Sequence, residues 1–467
     1  MGIIIPRPKP LNIMSLSHTL IFMNHGCCGG MDAKQTVHTV QTAQTASKNA
    51  TASATVSKEV CCSQKTVTQT VTQTVTQDPA GARSRYHDGY EDGFEPLISL
   101  DLSKCNDFDE LVKAMSNTAF GGRTLGEAAD VLYAMVTDPD CFVVMSLAGA
   151  MTPAKMGLLI CDMIDLGIVH AVVSTGALMT HGFVEAKGMT HFKYKFGQMD
   201  DVELYDKGYD RIYDVLELEQ NLDDTELIFR SIMATFDYKE PLSSYKLLNR
   251  CGKWLMDNTK GRGVLKSAFQ KNVPVYVPAF TDSEMGLDFG TMNHRRKKNN
   301  LPPYTYNPFL DLDHFADLIK KQKTIGIFTI GGGVPRNWSQ QVAPYLDIVL
   351  KRVENQCQAC DGDGCDTCEG RGFIYSDKGK AVNRYKYGVR ICPEPVHWGG
   401  LSGCTYSEGV TWGKFVPQNE GGMWSEVLID ATVAWPLLLK AVLQRLQKNG
   451  KLPIQKNFNV KEILHLQ

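Results

Sequence analysis

Apolar residues follow three rhythms along this chain. Between residues 106 and 140 they recur at helical spacing: Leu111, Ala114 and Met115, then Ala128, Leu132 and Met135. Thr124 followed by Glu127 predicts a capping box at the start of the second helix. From 141 the rhythm changes. CFVVMSLA is a continuous apolar run, as expected of a strand buried on both faces. TPAKMGLLICDMIDLG reads as a helix with Thr152 as N-cap and Pro153 at its first position. IVHAVVST reads as the next strand, and the strand–turn–helix unit recurs at VPVYVPAFTD and TIGIFTIGGGVPRN. The third rhythm, DATVAWPLLLKAVLQRLQKNG at 430–450, predicts a long helix with Pro436 in its first turn and Gly450 as its stop.

Repeated βα units with buried strands predict an α/β fold: a Rossmann-like, mostly parallel sheet with helices on both faces. One domain over residues 91–450 is expected, with a short tail at 451–467. Residues 1–90 differ in composition. They carry the repeat TVTQTVTQTVTQ and few large apolar residues, so they cannot offset the entropy of ordering and are expected to be disordered or weakly extended. Residues 289–309 read as a basic, Pro- and Asn-rich loop, whose run from Arg295 to Lys298 is expected to be a solvated surface.

A formal charge of −2 argues against a nucleic-acid binder that works through a basic field. No apolar run approaches the length of a membrane span, and LIFM near the N-terminus is too short for a signal-peptide core, so a cytoplasmic protein is expected. Four of the 14 cysteines fall in one cluster, CQACDGDGCDTCEGRG at 357–372; the others are scattered or in adjacent pairs, which is not a disulfide framework. The cluster holds two back-to-back copies of C-x-x-C-x-G-x-G. Cys357, Cys360, Cys365 and Cys368 suit a closed, structural four-thiolate zinc site, here a ribbon-like insertion at 355–375. A redox dithiol pair or an iron–sulfur site uses the same residues. The short gap between the knuckles strains a mononuclear site, so ligands shared between two chains are a further reading. The spacing resembles the zinc-binding repeats of the DnaJ chaperone family over these sixteen residues only.

WGGLSGCTYSEGVTWGKF at 398–415 carries the sharpest chemistry. Lys414 follows Trp412 and Gly413, and Glu408 lies six residues upstream. A lysine against an aromatic wall can lose its proton and attack carbonyls and imines; the bland alternative is a solvated loop lysine. None of the strand-end turns spells G-x-G-x-x-G, and the triple glycine at 331–333 serves a phosphate or close packing equally well.

SGCTYSEGVTWGKF resembles the active-site segment of the deoxyhypusine synthase family. VVSTGA at 172–177, VPVYVPAFTDSEMG at 273–286, IFTIGGGVPRN at 327–337 and IDATVAWPLL at 429–438 extend the likeness over roughly residues 95–445. PVHWGGLSG and GGGVPRN are similar to the bacterial deoxyhypusine synthase-like branch. The resemblance implies an NAD-dependent transferase acting on polyamines, a homotetramer with active sites across subunit interfaces, and Lys414 carrying an aminobutyl group as an imine. It implies cofactor contacts at Gly149, Ala150, Met151, Thr152 and Pro153, at Thr175, Gly176 and Ala177, at Asp282 and Gly332, and at Asp430 and Ala431. Trp412 and Glu408 are the implied amine contacts.

The chain departs from the family's pattern where several acids surround the polyamine. His181, Leu287, Trp398 and Leu401 stand at those places, and Asn337 replaces a histidine after the triple glycine. His181 reads either as an acid–base group or as a hydrogen-bonded loop histidine. The acceptor is a small amine such as putrescine, giving homospermidine, or a protein lysine, giving deoxyhypusine. The competing readings are a non-catalytic paralogue that uses the cysteine insertion for interaction, and an ordinary dehydrogenase, which needs no Lys414.

Overall fold

The computed structural model describes residues 54–57, 68–71, 87, 89–351, 354–375 and 383–457. Most of the Thr-Val-Thr-Gln repeat lies outside the described residues; Thr68–Val71 pairs antiparallel with Ala54–Ser57. The described residues from 97 onward belong to one compact unit.

Six strands form its sheet: β1 (Cys141–Leu147), β2 (Ala171–Ser174), β3 (Val275–Tyr276), β4 (Thr324–Ile330), β5 (Tyr385–Ile391) and β6 (Met423–Val427). Every pairing is parallel and the spatial order is 6-5-4-1-2-3. This is the strand order of doubly wound dinucleotide-binding folds. β1 shows why the run CFVVMSL forms a central strand. Cys141, Val143, Met145 and Leu147 enter one core, Phe142 and Val144 the other, and all are buried. The period of two places alternate side chains on opposite faces.

Helices cover both faces: α1 (Phe108–Ser116), α2 (Phe120–Thr137), α3 (Gly157–Asp165), α4 (Gly176–Ala186), α5 (Asp201–Asp206), α6 (Glu219–Met233), α7 (Ser244–Asn258), α8 (Val264–Lys271), α9 (Glu284–Lys298), α10 (Phe309–Lys320), α11 (Gly333–Lys351), α12 (Tyr406–Thr411) and α13 (Ala431–Lys448). Between β2 and β3 the chain also forms a three-stranded antiparallel sheet from Phe192–Lys193, Val215–Leu218 and Tyr209–Ile212. No helix among the described residues is long and apolar enough to cross a membrane.

Several element boundaries differ from the sequence reading. α2 starts at Phe120 after Ala119, so Thr124 lies within it, its hydroxyl donating to the Gly121 carbonyl at 3.2 Å. The Phe-Gly-Gly run at its start disguised the boundary. Thr152 does not cap α3: residues 151–155 form turns and the helix starts at Gly157. The Thr152 hydroxyl instead donates to the Leu178 carbonyl at 2.7 Å, which ties this loop to α4. Pro436 sits in the second turn of α13, whose N-cap is Asp430, while Gly450 follows the helix as its stop. The basic run is helical. Arg295 to Lys298 form the last turn of α9, where cations suit the helix dipole, and Arg295 pairs with Glu226 at 2.7 Å.

Candidate active site

The order of the sheet reverses between β1 and β4, and the Ala148 N–H donates to the Ile330 carbonyl at 3.0 Å across that seam. In open α/β sheets ligands bind at such a switch point, outside the carboxyl ends of the strands. The loop 149–153 leaves β1 here and the triple glycine leaves β4. Beside the seam is a cleft of about 640 Å³, lined by Gly149, Ala150 and Pro153, by Thr175 and Ala177, and by Asp282 and His181. α4 opens into it: its N-cap Thr175 makes no side-chain capping bond, so backbone N–H groups of the first turn are left for a bound group. Asp282 does not cap α9; Ser283 does, accepting from the Gly286 N–H at 3.2 Å. The Asp282 carboxylate therefore stays on the cleft wall, where it suits a hydroxyl-bearing ligand such as ribose. An adjoining cleft of about 860 Å³ holds Met151 and Asp430. These donors and this shape fit a dinucleotide.

Gly176, Gly332 and Ala431 serve packing, and Asp430 also caps α13. Gly176 packs so closely that a Cβ would lie 2.3 Å from the Ser283 hydroxyl. Gly332 packs against the 401–404 loop, where a Cβ would lie 2.5 Å from the Ser402 Cα. Asp430 accepts from the Thr432 N–H at 2.7 Å, and Ala431 is buried in the first turn of α13.

Lys414 lies in a separate cleft of about 260 Å³, with Asn337, Glu408 and Trp412 in its wall. Gly413 adopts a positive φ of 70°, which bends the chain after α12 and turns Lys414 back inward. The lysine is buried, and its Nζ donates to the Asn337 Oδ1 at 3.1 Å. The same Nζ stands 5.9 Å from the Trp412 ring centre. Burial lowers its pKa first, and the neighbouring Arg336 guanidinium lowers it further; Cys404 and Glu408 oppose weakly. Asn337 is one turn into α11, about 6 Å along the helix from Gly333. Glu408 closes a capping box with Thr405, accepting from the Thr405 N–H at 3.4 Å while its own N–H donates to the Thr405 hydroxyl at 3.1 Å.

Sequence reading missed what holds this cleft. Arg390 is buried, pairs with Glu426 at 2.8 Å and donates to the carbonyls of Ser402 at 2.6 Å and Cys404 at 2.7 Å. Arg336 donates to the same two carbonyls. The Tyr406 hydroxyl donates to the Val389 carbonyl at 3.1 Å on β5 and accepts from the Thr329 hydroxyl at 3.0 Å on β4. Two guanidiniums and a tyrosine thus lock the lysine loop to the sheet, and nothing in their sequence spacing signals it.

His181 is not in the lysine cleft. It lines the switch-point cleft, with its Nδ1 3.1 Å from Glu217. The four cysteine sulfurs of one chain lie within 4.8 Å of one another, so a single chain gathers all four despite the short gap. The strands Glu354–Gln356 and Phe373–Tyr375 pair at the base of the knuckles. N–H groups of Cys365 and Gly372 point at the Cys368 sulfur at 3.1 and 3.2 Å and pull its thiol down to about 6. Clustered thiols that receive N–H groups fit a four-thiolate metal site.

A parallel sheet of doubly wound order, a cleft at its switch point and a buried lysine whose ammonium is disfavoured make up the candidate site. The sequence model described as "DS: Deoxyhypusine synthase" matches residues 110–442, and the chain belongs to that family. It is 28% identical over 356 residues to "Probable deoxyhypusine synthase 2" of Methanosarcina acetivorans, covering 75% of this chain and 90% of the relative. It is 31% identical over 373 residues to the "Deoxyhypusine synthase-like protein" of Chlorobaculum parvum, covering 78% and 93%. Family membership makes this chain a transferase of aminobutyl groups.

Proposed function

We propose that the protein is an NAD-dependent transferase that moves an aminobutyl group from a polyamine such as spermidine, through an imine on Lys414, to an acceptor amine. The observation that carries the reading is the burial of Lys414 beside Arg336, which favours the free amine. NAD, when bound at the switch-point cleft, would accept a hydride from the polyamine and return it at the end, so no net redox change remains. The Lys414 nitrogen attacks the substrate imine carbon, the original carbon–nitrogen bond breaks and the amine fragment leaves. Asn337 orients the Lys414 nitrogen, and Trp412 offers a π face to the cationic chain. The acceptor amine then displaces Lys414.

Putrescine, giving homospermidine, is the favoured acceptor. The resemblance puts His181, Leu287, Trp398 and Leu401 where the family's polyamine acids stand, and this favours a small-amine acceptor. The alternative of a non-catalytic paralogue leaves the lowered pKa of Lys414 without a use. We also propose a homotetramer, supported by the family and by exposed Leu401 and Trp412, 46% and 67% accessible in the wall of the lysine cleft. A structural zinc on the four cysteines completes the proposal.

The test is incubation with NAD and spermidine, borohydride reduction and mass spectrometry. An aminobutyl adduct on Lys414 is expected, absent in Lys414→Arg, and cleared by putrescine with formation of homospermidine. Transfer that persists in Lys414→Arg would sink the mechanism.

A further inference from the structure

Behind the switch-point cleft lies a buried chain of titratable groups that the transfer mechanism does not use. Glu217, on the strand Val215–Leu218, is fully buried. Its Oε1 accepts from the Leu218 N–H at 3.1 Å and from the Asn221 amide at 2.7 Å. Its Oε2 faces two imidazoles, His181 Nδ1 at 3.1 Å and His191 Nε2 at 2.6 Å. Burial alone would push this carboxyl up. The hydrogen bonds from His181, His191 and Asn221 outweigh burial and hold it well below the usual carboxylate range.

An ionised carboxylate is acceptor-only, so each imidazole must present an N–H to it. For His191 the assignment is reinforced from the other side. The Lys155 ammonium lies 3.0 Å from its Nδ1, and an ammonium can only donate. Lys155 thus places the hydrogen of a neutral His191 on Nε2, and the Glu217 carboxylate keeps a hydrogen on His181 Nδ1. The His181 Nε2 faces the cleft wall, 3.7 Å from Glu284 Oε1, and in the neutral ring this is the atom that bears the lone pair. The same assignment removes a metal from consideration. These three donors could surround an ion, but His191 Nε2 already bears a hydrogen and Lys155 brings a positive charge.

The surroundings of the lone pair are acidic. Asp282 and Glu284 line the cleft. Asp210 lies close enough for Glu217 and Glu284 to raise its pKa beyond what burial does. On α9, burial together with Glu226 and Glu284 pushes Asp288 up to about 7. Acids that resist ionisation beside one another are relieved by a cation.

We propose that His181, held by Glu217, is the base that removes a proton from an ammonium nitrogen of the amine in the switch-point cleft, with Glu284 as the carboxylate that draws that nitrogen in. The proposal deepens the transferase reading and rests on it. The step is a single proton transfer. The nitrogen–hydrogen bond breaks, its electron pair stays on the amine nitrogen, and the proton joins the His181 Nε2. The resulting imidazolium sits between Glu217 and Glu284. Glu217 is a positioning residue, and the His191–Lys155 pair keeps it from turning away. His181 thus takes up acid–base work with a carboxylate supplied from a distant part of the chain.

The test uses the full chain labelled with ¹⁵N-histidine, together with NAD reduction on adding spermidine, followed by nicotinamide absorbance. His181, assigned by loss of its signals in His181→Asn, is expected as the Nδ1–H tautomer. That variant is expected to lower the rate of nicotinamide reduction by about 100-fold or more with little change in KM for the amine. Glu217→Gln is expected to shift the His181 nitrogen signals and slow the same step, and thermal melts establish that both variants are folded. An Nε2–H tautomer, a full rate in folded His181→Asn, or a metal ion lost on His191→Ala would each overturn the proposal. Absence of the Lys414 adduct in the unsubstituted protein would instead count against the transferase reading, while the tautomer spectrum still decides the role of Glu217.

Discussion

At Asn337 a single neutral oxygen meets the side-chain nitrogen of Lys414. It accepts from the Lys414 Nζ without charge, and burial with the Arg336 field keeps the ammonium disfavoured. Asn337→Asp would place an anion at the same distance and raise the lysine pKa. The reaction needs the free amine, so adduct formation by this variant is expected to move to higher pH, read as adduct yield against pH with the borohydride trap. An unmoved profile would remove the electrostatic account of Lys414. The lysine itself was legible in the sequence because Trp-Gly-Lys is contiguous. Arg336 and Arg390 were not, since their work is done on the carbonyls of Ser402 and Cys404, far along the chain for Arg336 and across a loop for Arg390. Glu217 was illegible for the same reason: 36 residues separate it from His181.

Among the elements, the βα units were read correctly and their starts were not. β1 was a continuous apolar run and β2 and β4 followed it in a recurring strand–turn–helix unit, whereas the α2 and α3 boundaries fell where glycine runs or irregular turns replace regular caps. The same glycine-dense geometry makes the lysine loop sensitive. A Cβ at Gly388 on β5 would approach the Tyr406 ring to 2.8 Å and the Phe415 ring to 3.1 Å. Gly388→Ala is therefore expected to shift α12 and the Lys414 loop, cutting adduct yield more than it lowers the melting temperature. The knuckle insertion makes an independent prediction. Metal analysis should find about one zinc per chain, as a single closed four-thiolate site requires, and none after Cys357→Ser with Cys368→Ser. A fully folded, metal-free unsubstituted protein would contradict it.

For the molecule as a whole, the compact unit begins at Leu97 and the family match spans 110–442. A chain shortened to start at Leu97 is expected to form the Lys414 adduct at the full rate; a large loss would assign the first residues a part in catalysis. The switch point has one more consequence. It divides the sheet so that His181 and Glu217 belong to a stretch ending before β4, and Asn337 and Lys414 to a stretch beginning after it. Two damaged genes, one encoding His181→Asn and the other Lys414→Arg, therefore each retain the half that the other has lost. If neighbouring subunits share an active site, expressing both in one cell should assemble mixed particles in which some sites are whole, and homospermidine should reappear where neither gene alone supplies it.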